Sequence, residues 1–401
     1  MSNKEQRKAP VLRFKGFTDD WEQRKFGDFW KLKSGKAYKA SEYVNKGIPI
    51  INGETIKNGE IKSNNLNYLP KRYLLIKDNI ILKPDDVVIG LNRPIINNQL
   101  KISPIPKNIP VSFLYQRAGK IESKFSNLST IETYYLLERN IFNFSKITAI
   151  GSDQPFIKTS ALLSWKFFIP KEIEEKTINK LLAKISTLIF LQQQKNADII
   201  NLKKAILDKI FSNSNIQKWR DIRLNKVLSI PVDEPKEVTN IDDIISVKLN
   251  TQGISKIPNR FTLKLGSTKY YVRHGGQFIF GKQNFFNGSM AIIPSKYDGK
   301  VSSKDVPSLN INKDIVMPYF LWLYLSRPSF YKKTERWATG TGSKRLHIKD
   351  LLSLKIYIPN KNEQLRICKL MQSLDTQILK SQKHLKELQS IKKFLLQNMF
   401  I

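Results

Sequence analysis

Residues 151–170 read GSDQPFIKTSALLSWKFFIP, and residues 340–359 read GTGSKRLHIKDLLSLKIYIP. The two stretches share a Leu-Leu-Ser turn followed by a short strand that ends in Ile-Pro, and their numbering differs by 189 (340 − 151). The same offset places ILDKIF at residues 206–211 over LLQNMF at residues 395–400. The chain therefore contains two copies of one plan, in which a globular unit ends in a strand and a long helix follows.

A second internal match marks the start of each copy. Residues 21–28 (WEQRKFGD) resemble residues 219–226 (WRDIRLNK), with a numbering offset of 198 (219 − 21). Two repeated units in 401 residues suit a bipartite target better than a single catalytic pocket. The repeat predicts four parts, which are a first globular domain (1–170), a first helix (171–213), a second globular domain (214–360) and a second helix (361–401).

Local patterns inside the globular parts predict an α+β fold. Short apolar runs punctuated by Gly, Pro, Asn and Asp predict strands at residues 47–51, 80–82, 87–91, 261–265, 277–280 and 290–293. Residues 129–142 predict a helix, with Ser129 as its N-cap and Glu132 completing a capping box. Residues 317–326 predict a buried helix in the second copy.

Each Ile-Pro is followed by apolar residues at alternating steps of three and four, which predict a long amphipathic helix. The stripe of the first helix comprises Ile178, Leu181, Ile185, Leu188, Ile199, Leu202 and Ile206, and that of the second comprises Ile367, Leu370, Leu374, Leu388, Ile391 and Leu395. Polar residues interrupt both stripes in the middle. A parallel or antiparallel pair would bury matched ends and align polar centres; the alternative is two unrelated helices, each packed on its own domain.

The net charge of +34 points to a polyanionic partner, of which nucleic acid is the foremost candidate. Residues 171–211 carry +3 and residues 361–401 carry +5, so +26 lies outside the two predicted helices. The basic character therefore belongs to the globular parts. A ribosome-associated protein and a general solubility effect are the alternatives at this point.

Several catalytic signatures are missing from the sequence. It contains no phosphate-binding P-loop and no Asn/Asp-Pro-Pro-Tyr/Phe motif of an amino-methyltransferase, and its three histidines are scattered. The single Cys368 excludes an intramolecular disulfide and fits a reducing compartment. Asp85 and Asp86 leave open a metal-dependent nuclease, although a strand-entry turn explains them as well. These features favour a binding protein, and we expect it to be soluble and cytoplasmic, without a leader or a metal.

The two-unit repeat, the GFTDDWEQRK opening at residues 16–25 and the Ile-Pro junctions followed by heptad helices resemble the specificity subunit of type I restriction–modification systems. This resemblance implies two target-recognition domains, spaced by two helices that pack as an antiparallel coiled coil. Each domain would read one half of a split double-stranded DNA sequence. The resemblance also implies a subunit without catalytic activity or cofactor of its own.

The partners follow from the same resemblance. They are two modification subunits, which methylate adenine with S-adenosylmethionine, and in the full complex two restriction subunits, which use ATP and Mg²⁺. The remaining alternatives are a recognition module of another methyltransferase or nuclease system and a stand-alone DNA-binding protein.

Candidate DNA-binding residues in the first unit lie in three segments. Phosphate contacts need Lys, Arg, Ser or backbone N–H groups, and base readout needs Arg, Lys, Asn or Gln on a positioned loop. Residues 31–39 (KLKSGKAYK) predict a phosphate-binding loop in which Gly35 permits close approach, and Arg93 follows an apolar strand as a candidate for guanine. The candidates are Lys31, Lys33, Ser34, Lys36, Lys39, Arg93, Ser152 and Gln154. A solvated loop, a structural ion pair and a simple turn are the respective alternatives.

The second unit offers comparable segments. Its repeated loop is more basic than that of the first unit, and two further segments interleave basic and aromatic residues. The candidates are Lys269, Arg273, Lys282, Gln283, Thr341, Ser343, Lys344 and Arg345.

Overall fold

The computed structural model describes residues 8–64, 66–125, 129–148, 155–256, 268–340 and 344–401. The chain divides into two compact units, with Met1–Gln193 and Lys383–Ile401 in unit 1 and Gln194–Gln382 in unit 2. Two long helices, α4 (Glu172–Ile210) and α9 (Lys361–Asn398), contribute one end to each unit. The predicted boundaries at residues 170, 213 and 360 fall close to the ends of these helices and stay a prediction.

The described part of unit 1 contains short strands and three α-helices before α4. The helices are α1 (Phe26–Phe29), α2 (Tyr134–Thr148) and α3 (Thr159–Ser164). The strands are β1 (Glu22–Lys25), β2 (Trp30–Ser34), β3 (Ile48–Ile51), β4 (Ile56–Lys57), β5 (Glu60–Ile61), β6 (Tyr68–Leu69), β7 (Ile81–Leu82), β8 (Val87–Gly90), β9 (Ile95–Ile96), β10 (Gln99–Leu100), β11 (Ile102–Pro104), β12 (Ser112–Leu114), β13 (Ala118–Ser123) and β14 (Lys166–Ile169).

The strands of unit 1 form a four-stranded sheet of order β11-β8-β13-β2 and a second one of order β6-β3-β12-β7. Strand β8 is buried on both faces. Val87 and Ile89 pack with α2 and the ends of the long helices, whereas Val88 packs in the core of the second sheet. A strand enclosed on both sides is a rigid support for the loop that follows it.

Unit 2 repeats this arrangement with different residues. Its helices besides the long ones are α5 (Asn213–Ile216), α6 (Pro318–Leu325), α7 (Pro328–Tyr331) and α8 (Ile348–Ser353). Its strands are β15 (Arg220–Arg223), β16 (Leu228–Ser229), β17 (Pro235–Lys236), β18 (Ile245–Val247), β19 (Ile254–Lys256), β20 (Tyr270–Arg273), β21 (Phe278–Phe280), β22 (Met290–Ile292), β23 (Lys300–Ser303), β24 (Ser308–Ile311) and β25 (Lys355–Ile358).

The four-stranded sheet of unit 2 has the order β22-β21-β24-β16, which matches β11-β8-β13-β2 strand for strand. Strand β21 is also buried on both faces, because Phe278 and Phe280 join the main core while Ile279 joins a smaller one. In both units an antiparallel two-stranded ladder, β1 with β14 and β15 with β25, closes the domain next to the long helices.

A tryptophan at the start of each unit ties both long helices to it. In unit 1, Trp21 donates from Nε1 to Oε2 of Glu174 at 3.1 Å and packs edge-on against Phe400, with ring centroids 6.2 Å apart. Arg13 adds a bidentate ion pair to Glu174, at 2.6 and 2.8 Å. Glu174 lies at the start of α4 and Phe400 follows the end of α9, so unit 1 joins opposite ends of the two helices.

Unit 2 makes the same contacts in the opposite sense. Trp219 donates from Nε1 to Oε1 of Glu363 at 3.2 Å, at the start of α9, and packs edge-on against Phe211 at the end of α4, with ring centroids 5.7 Å apart. Each tryptophan, which belongs to the repeat with an offset of 198, therefore contacts a glutamate and a phenylalanine that belong to the repeat with an offset of 189. Because each unit joins the start of one helix to the end of the other, α4 and α9 run antiparallel, as the resemblance implies.

The apolar stripes of α4 and α9 are confirmed only in part. Ile178, Ile185, Ile367 and Leu374 are buried as predicted. In contrast, the prediction was wrong for a second group, whose members are at least 45% exposed because the buried faces also use neighbouring residues such as Leu182 and Met371. This exposed group comprises Leu188, Leu202, Leu370 and Ile391.

The helix predicted at residues 129–142 is displaced in the structure. Helix α2 begins at Tyr134, because residues 129–133 form turns and the Thr130 hydroxyl accepts a hydrogen bond from the Ser123 N–H at 3.1 Å. Ser129 is therefore not the N-cap. Of the other predicted elements, residues 317–326 contain α6, and the strand at residues 261–265 lies outside the described residues. Among described helices, none has the length and apolarity needed to cross a bilayer.

Glu175 is a buried carboxyl group near the start of α4, and its Oε1 has no hydrogen-bond partner. Burial, with smaller contributions from Glu172 and Glu132, raises its pKa from 4.5 to about 8. The folded state therefore binds a proton that the unfolded chain has released between these two pH values. The resulting stabilisation is fully present below pH 4.5 and is lost as the pH rises towards 8.

We expect Glu175→Gln to stabilise the protein at pH 8, by on the order of a few kcal/mol, because the amide never ionises. At pH 4, below the pKa of the unfolded chain, the variant and the parent should be nearly equal. Denaturant unfolding of the full chain at both pH values measures the difference, and Glu60→Gln, which changes an exposed glutamate of the same unit, is the control. A difference that does not change with pH would contradict the assignment.

Candidate nucleic-acid interface

Three loops of unit 1 meet at Leu91, directly after strand β8. The Leu91 N–H donates to the Arg117 carbonyl at 2.9 Å, and the Leu91 carbonyl accepts from the Ile157 N–H at 3.0 Å. The next residue but one, Arg93, donates its own N–H to the Pro155 carbonyl at 2.8 Å. The loop that carries Arg93 is thus fixed by backbone hydrogen bonds to the end of the repeated segment 151–158.

The basic segment at residues 31–39 joins the same edge. The Gly35 N–H donates to the Ala118 carbonyl at 3.0 Å, and the Lys36 carbonyl accepts from the Gln116 N–H at 2.9 Å. A Cβ at position 35 would lie only 2.3 Å from the Tyr115 carbonyl oxygen. Gly35 is therefore required by the protein's own backbone, and the prediction that it permits close approach to DNA stays a prediction.

We call residues 35–36, 91–93, 115–117 and 155–157 the unit 1 loop edge. Exposed cations lie on this edge or within four residues of it in the sequence, and these are the predicted Lys31, Lys33, Lys36, Lys39 and Arg93 together with Arg117, which the sequence patterns did not indicate. Arg117 and Arg93 both have positive φ, at 66° and 43°, so each lies at a sharp turn, and both side chains are exposed. Ser34 is exposed on β2.

The cations of this edge differ in their partners. Lys33 forms an ion pair with Glu122 at 2.6 Å, across the β2–β13 ladder. By contrast, among described residues none forms an ion pair with the side chain of Arg93 or Lys36. An exposed, unpaired guanidinium on a fixed loop keeps all its donors for an external acceptor.

Lys101 supports the Arg93 loop from beneath, and sequence reasoning missed it too. It is 6% exposed, and its ammonium donates to the Asn92 carbonyl. Burial lowers its pKa, and the neighbouring charge of Lys57 lowers it further. Gly90 leaves room for this side chain, since a Cβ there would lie 2.8 Å from Cε of Lys101. The buried lysine fixes the backbone from which Arg93 projects.

Unit 2 reproduces the hydrogen-bond pattern around Leu91 at Lys282, which follows strand β21 after one intervening residue, Gly281. The Lys282 N–H donates to the Asp305 carbonyl at 2.9 Å, and the Lys282 carbonyl accepts from the Leu346 N–H at 2.9 Å. Residues 282–284, 305 and 344–346 form the unit 2 loop edge. Its members carry different side chains from their unit 1 counterparts and do not share one numbering offset, so the sequence alone does not reveal the match.

The charged groups of the unit 2 loop edge are more strongly paired. Lys344 contacts Glu335 at 2.7 Å, and the Arg345 guanidinium lies 3.6 Å from the Asp305 carboxylate. Lys282 is half-buried, and burial lowers its pKa although Asp305 opposes the shift. Gln283 is exposed on the same turn, and Lys269 is exposed at the start of β20, outside the loop edge.

Arg273 occupies a different environment from the one predicted. It is 5% exposed, with its Nε donating to the Ser302 hydroxyl at 2.7 Å and its Nη2 directed to the Ser302 and Ser303 carbonyls. The guanidinium holds strands β20 and β23 together, so we leave it out of the interface. Four other candidates, Ser152, Gln154, Thr341 and Ser343, lie outside the described residues.

The acidic pair at the start of β8 has structural contacts. Asp86 binds the Lys120 ammonium at 2.8 Å and accepts from the Lys83 N–H at 2.8 Å, while Asp85 forms a turn with φ of 70°. Across the described part of the chain, no group of three or more His, Cys, Asp or Glu residues is arranged to hold a metal ion. The arrangement matches the strand-entry turn considered above.

The sequence of this chain matches a known protein family in both of its halves. The family described as "Type I restriction modification DNA specificity domain" matches residues 18–201 and again residues 218–390. The specificity subunit of type I restriction enzyme MjaVIII from Methanocaldococcus jannaschii is 32% identical over 196 residues, which are 48% of this chain and 46% of that protein. That match therefore spans less than half the length of the relative.

A second relative matches nearly the whole chain, at a lower sequence identity. The subunit described as the putative type I restriction enzyme MjaX specificity subunit, from the same organism, is 25% identical over 94% of this chain and 91% of its own length. Among solved structures, the type I restriction–modification S subunit from M. genitalium superposes with a TM-score of 0.60 at 14% identity, covering 98% of this chain and 99% of that one. This likeness concerns the fold alone.

Proposed function

Because the chain belongs to the type I restriction–modification DNA specificity family, which matches both of its halves, we propose that it is the DNA-recognising subunit of such a complex. Each unit would read one half of a split double-stranded sequence. The observation that carries this proposal is the repeated loop edge, in which the same backbone hydrogen bonds fix polar and basic loops behind a doubly buried strand in both units.

The charge of the chain supports DNA as the ligand. The net charge is +34, and +26 of it lies outside residues 171–211 and 361–401. Lys31, Lys36 and Lys39 are suited to phosphate oxygens, which position a protein on the duplex without reading its sequence. Arg93 is suited to base reading, because a guanidinium can donate two parallel hydrogen bonds to O6 and N7 of guanine.

The exposed apolar side chains of the long helices support protein partners. In unit 1 these include Leu188, Phe190 and Phe394, and in unit 2 they include Leu202 and Leu379, all more than half exposed. Large apolar groups on a helix surface gain free energy when a partner covers them. We propose that modification subunits dock there, in the cytoplasm, with restriction subunits joining the complete complex.

The proposal divides the chemistry between the chains. The modification subunits would bind S-adenosylmethionine and transfer its methyl group to adenine, and the restriction subunits would use ATP and Mg²⁺. This chain would catalyse neither step. Its role would be to place the partners at one DNA sequence by holding both halves of that sequence.

We expect Arg93→Ala to relax the specificity at one base position within one half of the recognised sequence. Loss of a bidentate guanine contact costs about 1–3 kcal/mol, which is about 5- to 150-fold in discrimination. Sequencing of the methylated sites made by the variant with its modification subunit measures this. Arg72→Ala removes an exposed arginine outside the loop edge and serves as the control.

The experiment distinguishes an error about Arg93 from an error about the proposed function. Relaxation at one position by Arg93→Ala, with an unchanged pattern for Arg72→Ala, supports base reading by the unit 1 loop edge. An unchanged methylated sequence in both variants would contradict the role of Arg93. A parent complex that shows no sequence preference would contradict the proposed function itself.

A further inference from the structure

A strongly basic cleft lies beside the unit 2 loop edge. The segment Lys332–Trp337 follows α7 and packs against the turn Lys282–Asn287. Four of its residues, Lys332, Lys333, Glu335 and Arg336, line a surface cleft of about 460 Å³ together with Lys344. No sequence pattern singled out this segment, and reading of the two half-sites by the loop edges does not require it.

The charges of this cleft are mostly uncompensated. Among the described residues that line it, Glu335 is the only acid, and it pairs with Lys344 at 2.7 Å. Within the described residues, no ion pair involves Lys332, Lys333 or Arg336, and all three are exposed. Cations that share a cleft repel one another, and a phosphate between them offsets that repulsion.

Arg336 is held in a defined orientation. Its guanidinium carbon lies 3.9 Å from the centroid of the Trp337 ring, and that indole is 37% exposed. A guanidinium stacked on an aromatic face loses less conformational freedom when it binds an anion, and its edge still presents N–H donors. Such a group suits bidentate contact with phosphate oxygens.

The cleft is tied firmly to the residues proposed to read DNA. Thr339 and Arg345 exchange two backbone hydrogen bonds, at 3.1 and 2.9 Å, immediately before the bond from Leu346 to the Lys282 carbonyl. These hydrogen bonds connect the chain just after the basic segment to the unit 2 loop edge. A phosphate bound in the cleft would fix the position of DNA relative to Lys282 and Gln283.

The sequence of unit 1 lacks these charges at the matching positions. The numbering offset of the repeated segment (340 − 151) places Asn143, Phe144 and Ile147 at the positions of Lys332, Lys333 and Arg336. All three unit 1 residues belong to α2, and Phe144 is buried in the unit 1 core. The two units thus share their loop-edge backbone and differ in the basic cleft.

We propose that Lys332, Lys333 and Arg336, with Lys344, form a phosphate clamp for the DNA backbone, which adds salt-dependent affinity to the half-site read by unit 2. This inference rests on the proposed function and adds an asymmetry to it. The clamp would position the duplex without contacting base edges, so it would change how tightly unit 2 binds and not which bases it reads.

The test compares the triple variant Lys332→Gln/Lys333→Gln/Arg336→Gln with the parent, each in complex with its modification subunit and bound to duplex DNA that contains the recognised sequence. Loss of three phosphate contacts should reduce the slope of log affinity against log salt by roughly 2–3, and should weaken binding at 0.15 M salt by roughly 30- to 100-fold. The methylated sequence should stay unchanged. Trp337→Leu should weaken binding several-fold and leave most of the slope intact, because it removes the stacking and no charge.

The matched control is Lys218→Gln/Lys226→Gln/Lys313→Gln, which removes three exposed lysines from other segments of unit 2. An equal loss of slope in both triple variants would overturn the clamp, because it would reflect net charge alone. A parent-like slope in the cleft variant would overturn it as well, and so would a change in the bases read. A parent complex without salt-dependent, sequence-specific binding would instead contradict the proposed function.

Discussion

Exchange of residues 26–165 for the equivalent region of a relative with a known DNA sequence should replace one half of the methylated sequence and leave the other half unchanged. This is the largest effect that we expect, because it transfers all of the unit 1 loop edge at once. The proposed junctions lie just inside the β1–β14 ladder, which stays in the recipient with its four paired residues. The hydrogen bond from the Phe26 N–H to the Trp165 carbonyl, at 2.8 Å, marks the point where the two strands diverge into the domain.

Unit 2 provides the matched experiment. Its ladder of β15 with β25 is followed by a hydrogen bond from the Leu224 N–H to the Leu354 carbonyl at 2.9 Å, so exchange of residues 224–354 is the equivalent replacement. We expect that exchange to alter only the other half of the methylated sequence. Sequencing of methylated sites in cells that carry each hybrid decides the matter. A change in both halves from a single exchange would show that the units do not read independently.

The repeat in the sequence predicted two long helices but left a parallel and an antiparallel pair open, and only the family resemblance implied the antiparallel one. One numbering offset relates Glu174 to Glu363 and Phe211 to Phe400, and the second relates Trp21 to Trp219. Both tryptophans and both phenylalanines lie in the repeated stretches of the sequence, whereas Glu174 and Glu363 were not among the predicted residues. Because these aromatic residues contact repeated partners, the same residue types occur in both copies and the repeat can be detected in the sequence.

The candidate interface was less predictable for an equally physical reason. Leu91 and Lys282 hold equivalent positions through their backbone N–H and carbonyl groups, which every residue except proline provides in the same way. Their side chains are free to differ, and the loop lengths between repeats differ as well. The buried position of Arg273 could not be predicted either. Its hydrogen-bond partner Ser302 lies on β23, and no local sequence pattern indicates that β23 pairs with β20.

The last prediction concerns the long helices as a determinant of the spacing between the half-sites. Helix α4 has 39 residues, which corresponds to about 58 Å at 1.5 Å per residue. We expect that a heptad inserted into both helices, after Gln193 in α4 and after Gln382 in α9, shifts the preferred spacer and leaves both half-sites unchanged. Seven residues add about 10 Å, or roughly three base pairs, and rotate the helix face by only about 20°.

The same geometry predicts how well the new spacer is bound. Three base pairs rotate the second half-site by roughly 100° about the DNA axis, since a turn takes about 10–10.5 base pairs. Because the helices compensate little of that rotation, the variant should bind its new spacer more weakly than the parent binds its own.

Insertion into α4 alone is the control, because it lengthens one helix of the antiparallel pair and should disturb folding instead of moving the spacer. Methylated-site sequencing of the paired insertion with its modification subunit gives the result. An unchanged spacer would mean that α4 and α9 dock the partner subunits without setting the distance between the half-sites.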